Sequence, residues 1–266
     1  MGQTLTIESR WAENKLDRLP ALATELVGLK VEVIAAPSTA AVRAAMSASA
    51  TMPIVGLATA DPVAMGLVAS LARPGGNVTV VTDPALEPKV LELLKQTVPR
   101  ASRVAVPGHP GMGPGYRVIW QELDAVAPAL GVSLQRVDIA TADDLDAAFR
   151  DMRRTRPEAL YVLASSLIWA ERRRIANLAL ANRLPSACSL VEYAEAGGLI
   201  GYAPDLPDMW RRGAGYVDKI LRGAKVGDLP VDRSSRLQLV INLKTAKAIG
   251  LTSPSAMRAR ADRVIE

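Results

Sequence analysis

The chain has a single cysteine, a single histidine and a single phenylalanine among its 266 residues. Cys188, being alone, excludes an internal disulfide and any multi-cysteine metal site, and reads as a small buried hydrophobe. His109 has no cysteine to share a zinc ion with and no Ser/His/Asp order to belong to, so no metal, no cofactor and no catalytic residue is expected. Aromatic residues make up 4% of the chain, too few to offer bases a stacking surface. The net charge of +5 sits in short arginine clusters, at Arg153, Arg154 and Arg156 and at Arg172, Arg173 and Arg174, which read as solvated helix faces. Nucleic acid is therefore not an expected partner. Long apolar runs are missing as well: residues 55–72 are interrupted by Asp61 and Pro62 and are too polar to cross a bilayer. The first ten residues show no basic start, apolar stretch and small-residue cleavage site, so the chain as written is expected to remain cytoplasmic.

What is present is globular: 49% hydrophobic and 22% charged residues, over a length that fits one large domain or two of about 100–150 residues. Short apolar β-branched runs alternate with longer helical patterns, the sequence form of βαβ units around a parallel sheet covered on both faces. Leu16, Leu19, Leu22, Leu26 and Leu29 recur every three or four residues and predict a helix face. Strands follow at 31–35, 54–57 and 78–81, with helices at 39–48, 62–72 and 87–97. A second series predicts strands at 103–106, 133–138, 159–163, 186–189 and 199–202, with helices at 116–130, 142–155 and 170–182. A helix at 206–221, a strand at 237–241 and a terminal helical region complete the chain. The fold class expected is α/β with two doubly wound parallel-sheet lobes. The first lobe takes residues 1–98 and 204–226, and the second 99–203 and 227–266, with crossovers near Pro99, Tyr202 and Lys225.

The glycine-rich loop Pro107-Gly108-His109-Pro110-Gly111-Met112-Gly113-Pro114-Gly115 lies between a strand and a helix, and Asp138 ends the next strand, as in a dinucleotide site. The spacing fails, because Tyr116 stands where the third glycine after Gly111 and Gly113 is needed. Polar residues at strand carboxyl ends are better candidates, since ligands of open α/β sheets bind there and helix N-termini offer N–H groups to a carboxylate. These are Ser38, Thr39, Asp61, Ser165, Ser166 and Ser189, with His109, Glu192 and Tyr202 as further candidate contacts in one cleft. Asp61 would meet a ligand ammonium, and the Ser38/Thr39 helix end its carboxylate. Each residue also has a plain alternative as a helix cap.

Several segments together resemble the ABC transporter substrate-binding protein family of tryptophan/tyrosine type, with the type I periplasmic-binding fold. They are Asp61-Pro62-Val63, residues 66–79 through Arg73-Pro74-Gly75-Gly76-Asn77, Leu91-Glu92-Leu93-Leu94-Lys95, Ala196-Gly197-Gly198-Leu199, Tyr216 to Lys225, and Leu239 to Lys247. The resemblance covers nearly the whole chain. It implies a periplasmic monomer that captures a small molecule, often an amino acid or related carboxylate, by lobe closure and delivers it to the membrane permease of an ABC importer. It does not imply an enzyme. Family members carry Gly-Thr where Ser38-Thr39 stands and a Trp-Asn-Pro-like turn in place of Gly108-His109-Pro110. The chain also starts at what resembles the family's second strand, residues 5–8, so a leader and a central first strand are expected to be missing. The competing readings are a truncated, non-functional relative and a ligand-sensing domain of the same fold.

Overall fold

The computed structural model describes residues 5–13, 15–59, 61–82, 86–112, 114–233, 236–252 and 255–266. Residues 1–4 of the stretch read for a leader, and Gly113 of the glycine-rich loop, lie outside the described residues. In chain order the first elements are α1 (Leu19–Gly28), β1 (Ile34–Pro37), α2 (Thr39–Ala48), β2 (Ile54–Thr59), β3 (Val78–Thr82), α3 (Glu87–Thr97) and β4 (Arg103–Gly108). There follow α4 (Pro114–Val126), β5 (Ser133–Asp138), α5 (Asp144–Thr155), β6 (Ala159–Val162), α6 (Ser166–Ala181), β7 (Ser186–Cys188), α7 (Val191–Glu195) and β8 (Ile200–Pro204). The chain closes with α8 (Leu206–Leu221), β9 (Asp232–Arg233), β10 (Leu237–Asn242), α9 (Leu243–Ala248), α10 (Ser255–Arg260) and β11 (Arg263–Ile265).

Two compact units result: Met1–Pro84 with Asp205–Ser235, and Ala85–Pro204 with Arg236–Glu266. Two boundaries differ from the sequence expectation. Helix α3 belongs to the second unit, because Val90, Leu91, Leu93 and Leu94 are buried in one core with Val104, Leu123 and Tyr161. Residues 227–235 belong to the first, since β9 pairs with β3 and Thr79 Oγ1 donates to the Leu229 carbonyl at 2.9 Å.

The first unit holds a parallel sheet of order β1-β2-β3-β9. All five residues of β3 are buried, as a sheet covered on both faces requires. Helix α2 is capped by Ser38 and buries Val42, Ala44 and Ala45. Helix α8 is capped by Asp205, whose carboxylate accepts from Asp208 N at 3.1 Å. Its buried Met209, Gly213, Tyr216 and Ile220 recur every three or four residues on one face, packed against β2 and β3 through Val55, Leu57 and Val81.

Three expectations fail in this unit. No helix forms over 62–72; a single turn at 62–66 ends at Gly66, whose φ of +66° turns the chain out of helical geometry. Residues 5–8 form no strand, and Leu5 and Ile7 are exposed. The first paired strand begins at Ile34 rather than residue 31, where its pairing with Ile54 starts.

The second unit holds a sheet of order β11-β10-β8-β7-β6-β4-β5. Its strands from β8 to β5 are parallel, while β10 joins β8 antiparallel and β11 joins β10 parallel, a mixed edge beyond the all-parallel expectation. Every residue of β6 and β7 is buried, whereas β5, at the sheet edge, is exposed or half-buried throughout. Helices α3 and α4 pack on one face, around Leu91, Leu94, Leu123 and Tyr161. Helices α5 and α6 cover the other with Phe149, Met152, Ile168 and Ile175. Strands β9 and β11 and helix α7 are too short for periodicity to announce them.

Candidate functional site

In the first unit the carboxyl ends of β1 and β2 gather the polar residues. Strand β1 stops at Pro37 and α2 starts at Thr39, so Ser38 makes the corner, and its Oγ accepts from Ala41 N at 3.4 Å. Ser38 does this at φ 91° and ψ 151°, a region essentially reserved for glycine. The register sets Pro37 beside Leu57, which brings Ala58 alongside Ser38. Ala58 also has a positive φ, 49°, at a shift of register between Leu57 and Thr59. Two non-glycine residues on neighbouring strand ends thus hold unfavourable backbone geometry, a cost that surrounding structure must over-determine.

Thr59 lies next to this strain. It is fully buried, its Oγ1 has no hydrogen-bond partner among the described residues, and its methyl lies on the sheet face that α2 covers, near Gly56 and Val42. Its carbonyl accepts from the Thr82 hydroxyl at 2.6 Å, which fixes the strand end. The first turn of α2 adds the amides of Thr39 and Ala40, unclaimed by the helix itself. Carboxylate-binding chemistry is therefore concentrated here. Asp61, three residues past Ala58, is exposed, and its Oδ1 accepts from Val63 N at 3.0 Å and Ala64 N at 3.1 Å. It caps the turn that stands where a helix was expected.

In the second unit three expected residues follow three neighbouring parallel strands. His109 follows β4, Ser165 comes three residues after β6, and Ser189 follows β7. His109 is half-buried and its Nδ1 donates to the Ile139 carbonyl at 3.0 Å, pinning the glycine-rich loop to the end of β5. Ser165 caps α6 through Ile168 N at 3.2 Å. Ser189 is buried and its Oγ has no partner among the described residues; the same is true of one carboxylate oxygen of Glu192 on α7. Burial raises the Glu192 carboxyl above its ordinary value. Tyr202 lies within β8, half-buried against the α3 side of the core, rather than beyond a strand end.

Sequence reasoning passes over Ala58 and Thr59. Ala58 and Thr59 fall just past the strand expected at 54–57, and a bulge leaves no mark on a run as short as Ile54–Thr59. A depression of about 660 Å³ in the first unit, lined by Glu32, Gly75, Gly76, Lys225, Gly227 and Asp228, opens at the amino ends of the strands, away from all of these residues. Among the described residues no group of three or more His, Cys, Asp or Glu is placed to hold a metal, and no helix is long and apolar enough to cross a membrane.

Residues 1–265 match the family model described as ABC transporter substrate binding protein. The chain is 28% identical over 255 residues to a tyrosine-binding protein of Clostridioides difficile, a match that covers 96% of this chain and 73% of that one. Among solved structures, a conserved domain protein from Vibrio cholerae superposes with a TM-score of 0.92 at 26% identity, covering 99% of this chain and 88% of that one. An ABC domain in complex with L-Trp from Streptococcus pneumonia has the same fold, with a TM-score of 0.91 at 24% identity over 98% and 90% of the two chains. With a match over nearly its whole length, the chain belongs to the ABC transporter substrate-binding protein family, whose members are solute-binding proteins and not enzymes.

Proposed function

We propose that this chain is the solute-capturing component of an ABC importer, that its solute is an α-amino acid, and that it works outside the cytoplasmic membrane beside a permease. The observation that carries the reading is the strand-end cluster of the first unit. A buried, unpartnered Thr59 hydroxyl, the open amides of α2 and a strained Ser38–Ala58 pair together form a cradle suited to a carboxylate. The likeness to a tyrosine-binding protein supports an amino acid as the source of that carboxylate. In the second unit, His109, Ser165 and Ser189 stand beyond the ends of neighbouring parallel strands, with Glu192 on α7 and Tyr202 within β8, and are the further candidate contacts.

Isothermal titration calorimetry of the whole chain with L-tyrosine and L-tryptophan tests the proposal. Saturable binding is expected, accompanied by a rise in Tm; ligand at a hundred times Kd adds about 2.7 kcal/mol of stability. Thr59→Val, which keeps shape and removes the hydroxyl, should weaken binding about tenfold, as expected for a lost hydrogen bond to a charged group. Absence of binding to any amino acid would favour the reading of the chain as a non-functional relative.

A further inference from the structure

Arg43 is the one lysine or arginine between Lys30 and Arg73, and it stands in the second turn of α2. It is exposed, on the side of the helix away from the buried Val42, Ala44 and Ala45. Other arginines of this unit have acids for partners: Arg10 pairs with Glu25, Arg18 with Glu13, Arg212 with Asp208 and Arg222 with Asp218. Arg43 has none among the described residues. One Nη2 donates to the Met65 carbonyl at 2.5 Å, while Nε and Nη1 have no partner among the described residues. A neutral carbonyl leaves the guanidinium charge, and most of its fork of donors, unanswered.

The place of that charge in the first unit is set from two sides. Met65 closes the turn that follows the end of β2, its N–H donating to the Asp61 carbonyl at 2.9 Å. Arg43 is thus held between α2 and the end of β2, the two elements whose ends form the cradle. Thr39 and Ala40, four and three residues earlier, lie on its side of the helix, and helical side chains lean toward the N-terminus, so the guanidinium leans toward the open amides. Thr59 approaches from the sheet. A Cβ on Gly56 would stand 2.9 Å from a Val42 methyl and 3.5 Å from the Thr59 methyl, which puts Thr59 on the face that α2 covers. Strands β1 and β2 are parallel and α2 runs back between them, so Thr59, three residues beyond Gly56, and Thr39, three residues before Val42, lie toward the same end. The buried, unpartnered Thr59 hydroxyl therefore faces the start of α2. A helix end alone would need no ligand; an orphaned buried hydroxyl in front of it and an unpaired cation beside it do.

We propose that Arg43 is the charge partner of the solute's carboxylate, completing the cradle of Thr39 and Ala40 amides and Thr59 hydroxyl, and that the first unit thereby selects an ionised carboxylate over a neutral amide. This rests on the amino-acid reading and deepens it. Every group it uses belongs to the first unit.

The test is calorimetry with L-tyrosine and L-tyrosinamide, which differ in the carboxylate alone, on the unaltered chain and on Arg43→Gln and Arg43→Lys. The unaltered chain should prefer tyrosine, and Arg43→Gln should cut that preference about tenfold by weakening tyrosine and leaving tyrosinamide as it was, the fold-change expected for one charge-assisted contact. Arg43→Lys, which keeps the charge and loses the fork, should restore part of it. A residue that only ties the Met65 turn to α2 would weaken both ligands alike, and that result, like an unchanged preference in Arg43→Gln, would overturn the assignment of Arg43 while leaving the amino-acid reading intact. Failure of the unaltered chain to bind tyrosine or any other amino acid would remove both.

Discussion

Ser38 shows how one residue can serve and strain a site together. Its side chain caps α2, but its backbone occupies a conformation that costs a non-glycine residue about 1–3 kcal/mol. A glycine at this corner would avoid the strain, and glycine as an N-cap loses only a few tenths of a kcal/mol relative to serine. Ser38→Gly should therefore stabilise the first unit by about 1 kcal/mol, while Ser38→Ala, which keeps the strain and loses the cap, should destabilise it by about as much. Thermal denaturation of the two variants checks this, and a lower Tm for the glycine variant would contradict the strain. In the second unit Glu158 is a comparable single-residue anchor. Its carboxylate accepts from the Ser102 and Arg103 backbone amides and from Ser102 Oγ, bonds that hold its pKa at about 2 against an ordinary 4.5. A depressed pKa contributes stability that is present above the unfolded value and lost as pH falls through the folded one. The loss should thus fall between pH 4.5 and about 2. Glu158→Gln should remove that part of the acid transition, measured as Tm against pH. The strand-end serines were legible because capping residues at fixed offsets leave a sequence mark; Thr59 was not, because orphaned hydroxyls arise from packing.

At the scale of elements, the alternation of short β-branched runs with helical patterns located most strands and helices to within a few residues, since central runs such as β3 and β6 are buried on both faces. The leucine stripe predicted a helix, and α1 forms over Leu19–Gly28 with Leu19, Leu22 and Leu26 half-buried beside the buried Ala23; Leu16 and Leu29 fall outside the helix and are exposed. Residues 62–72 have helical composition, but Gly66 at positive φ and Pro74-Gly75 turn the segment into a chain of bends. Some contacts between elements depend on the absence of a side chain. At Gly201, β8 passes so close to the start of α7 that a Cβ would stand 2.6 Å from the Leu190 carbonyl oxygen and 2.7 Å from Val191 Cα. Both obstacles are backbone and cannot rotate away. Gly201→Ala should cost about 1–3 kcal/mol as overpacking and shift β8 relative to α7. Denaturant unfolding reads the loss, and a variant as stable as the parent would show that the approach is looser than drawn.

At the scale of the whole molecule the two units are unequally built. The second has a seven-stranded sheet in which β6 is flanked by β4 and β7 and fully buried. The first has four strands, one of them only two residues long, and β1 pairs with β2 alone among the described residues. Because Ile34 N and Ser38 N donate to β2, the intervening Ala35 turns its amide to the unpaired side, and Pro37 has none to offer. A sheet edge without a partner is where opening starts. Native-state amide hydrogen exchange should accordingly find β1 and α2 exchanging at least about tenfold faster than β4, β6 and β7, with opening free energies well below the global value. A bound amino acid should slow the first group much more than the second, because ordering the Ser38–Thr59 strand ends removes the cheapest opening route while β6 already exchanges only by global unfolding. Equal protection in both units without ligand would mean that the edge of β1 is covered, and that the first unit owes its stability to contacts other than its four strands.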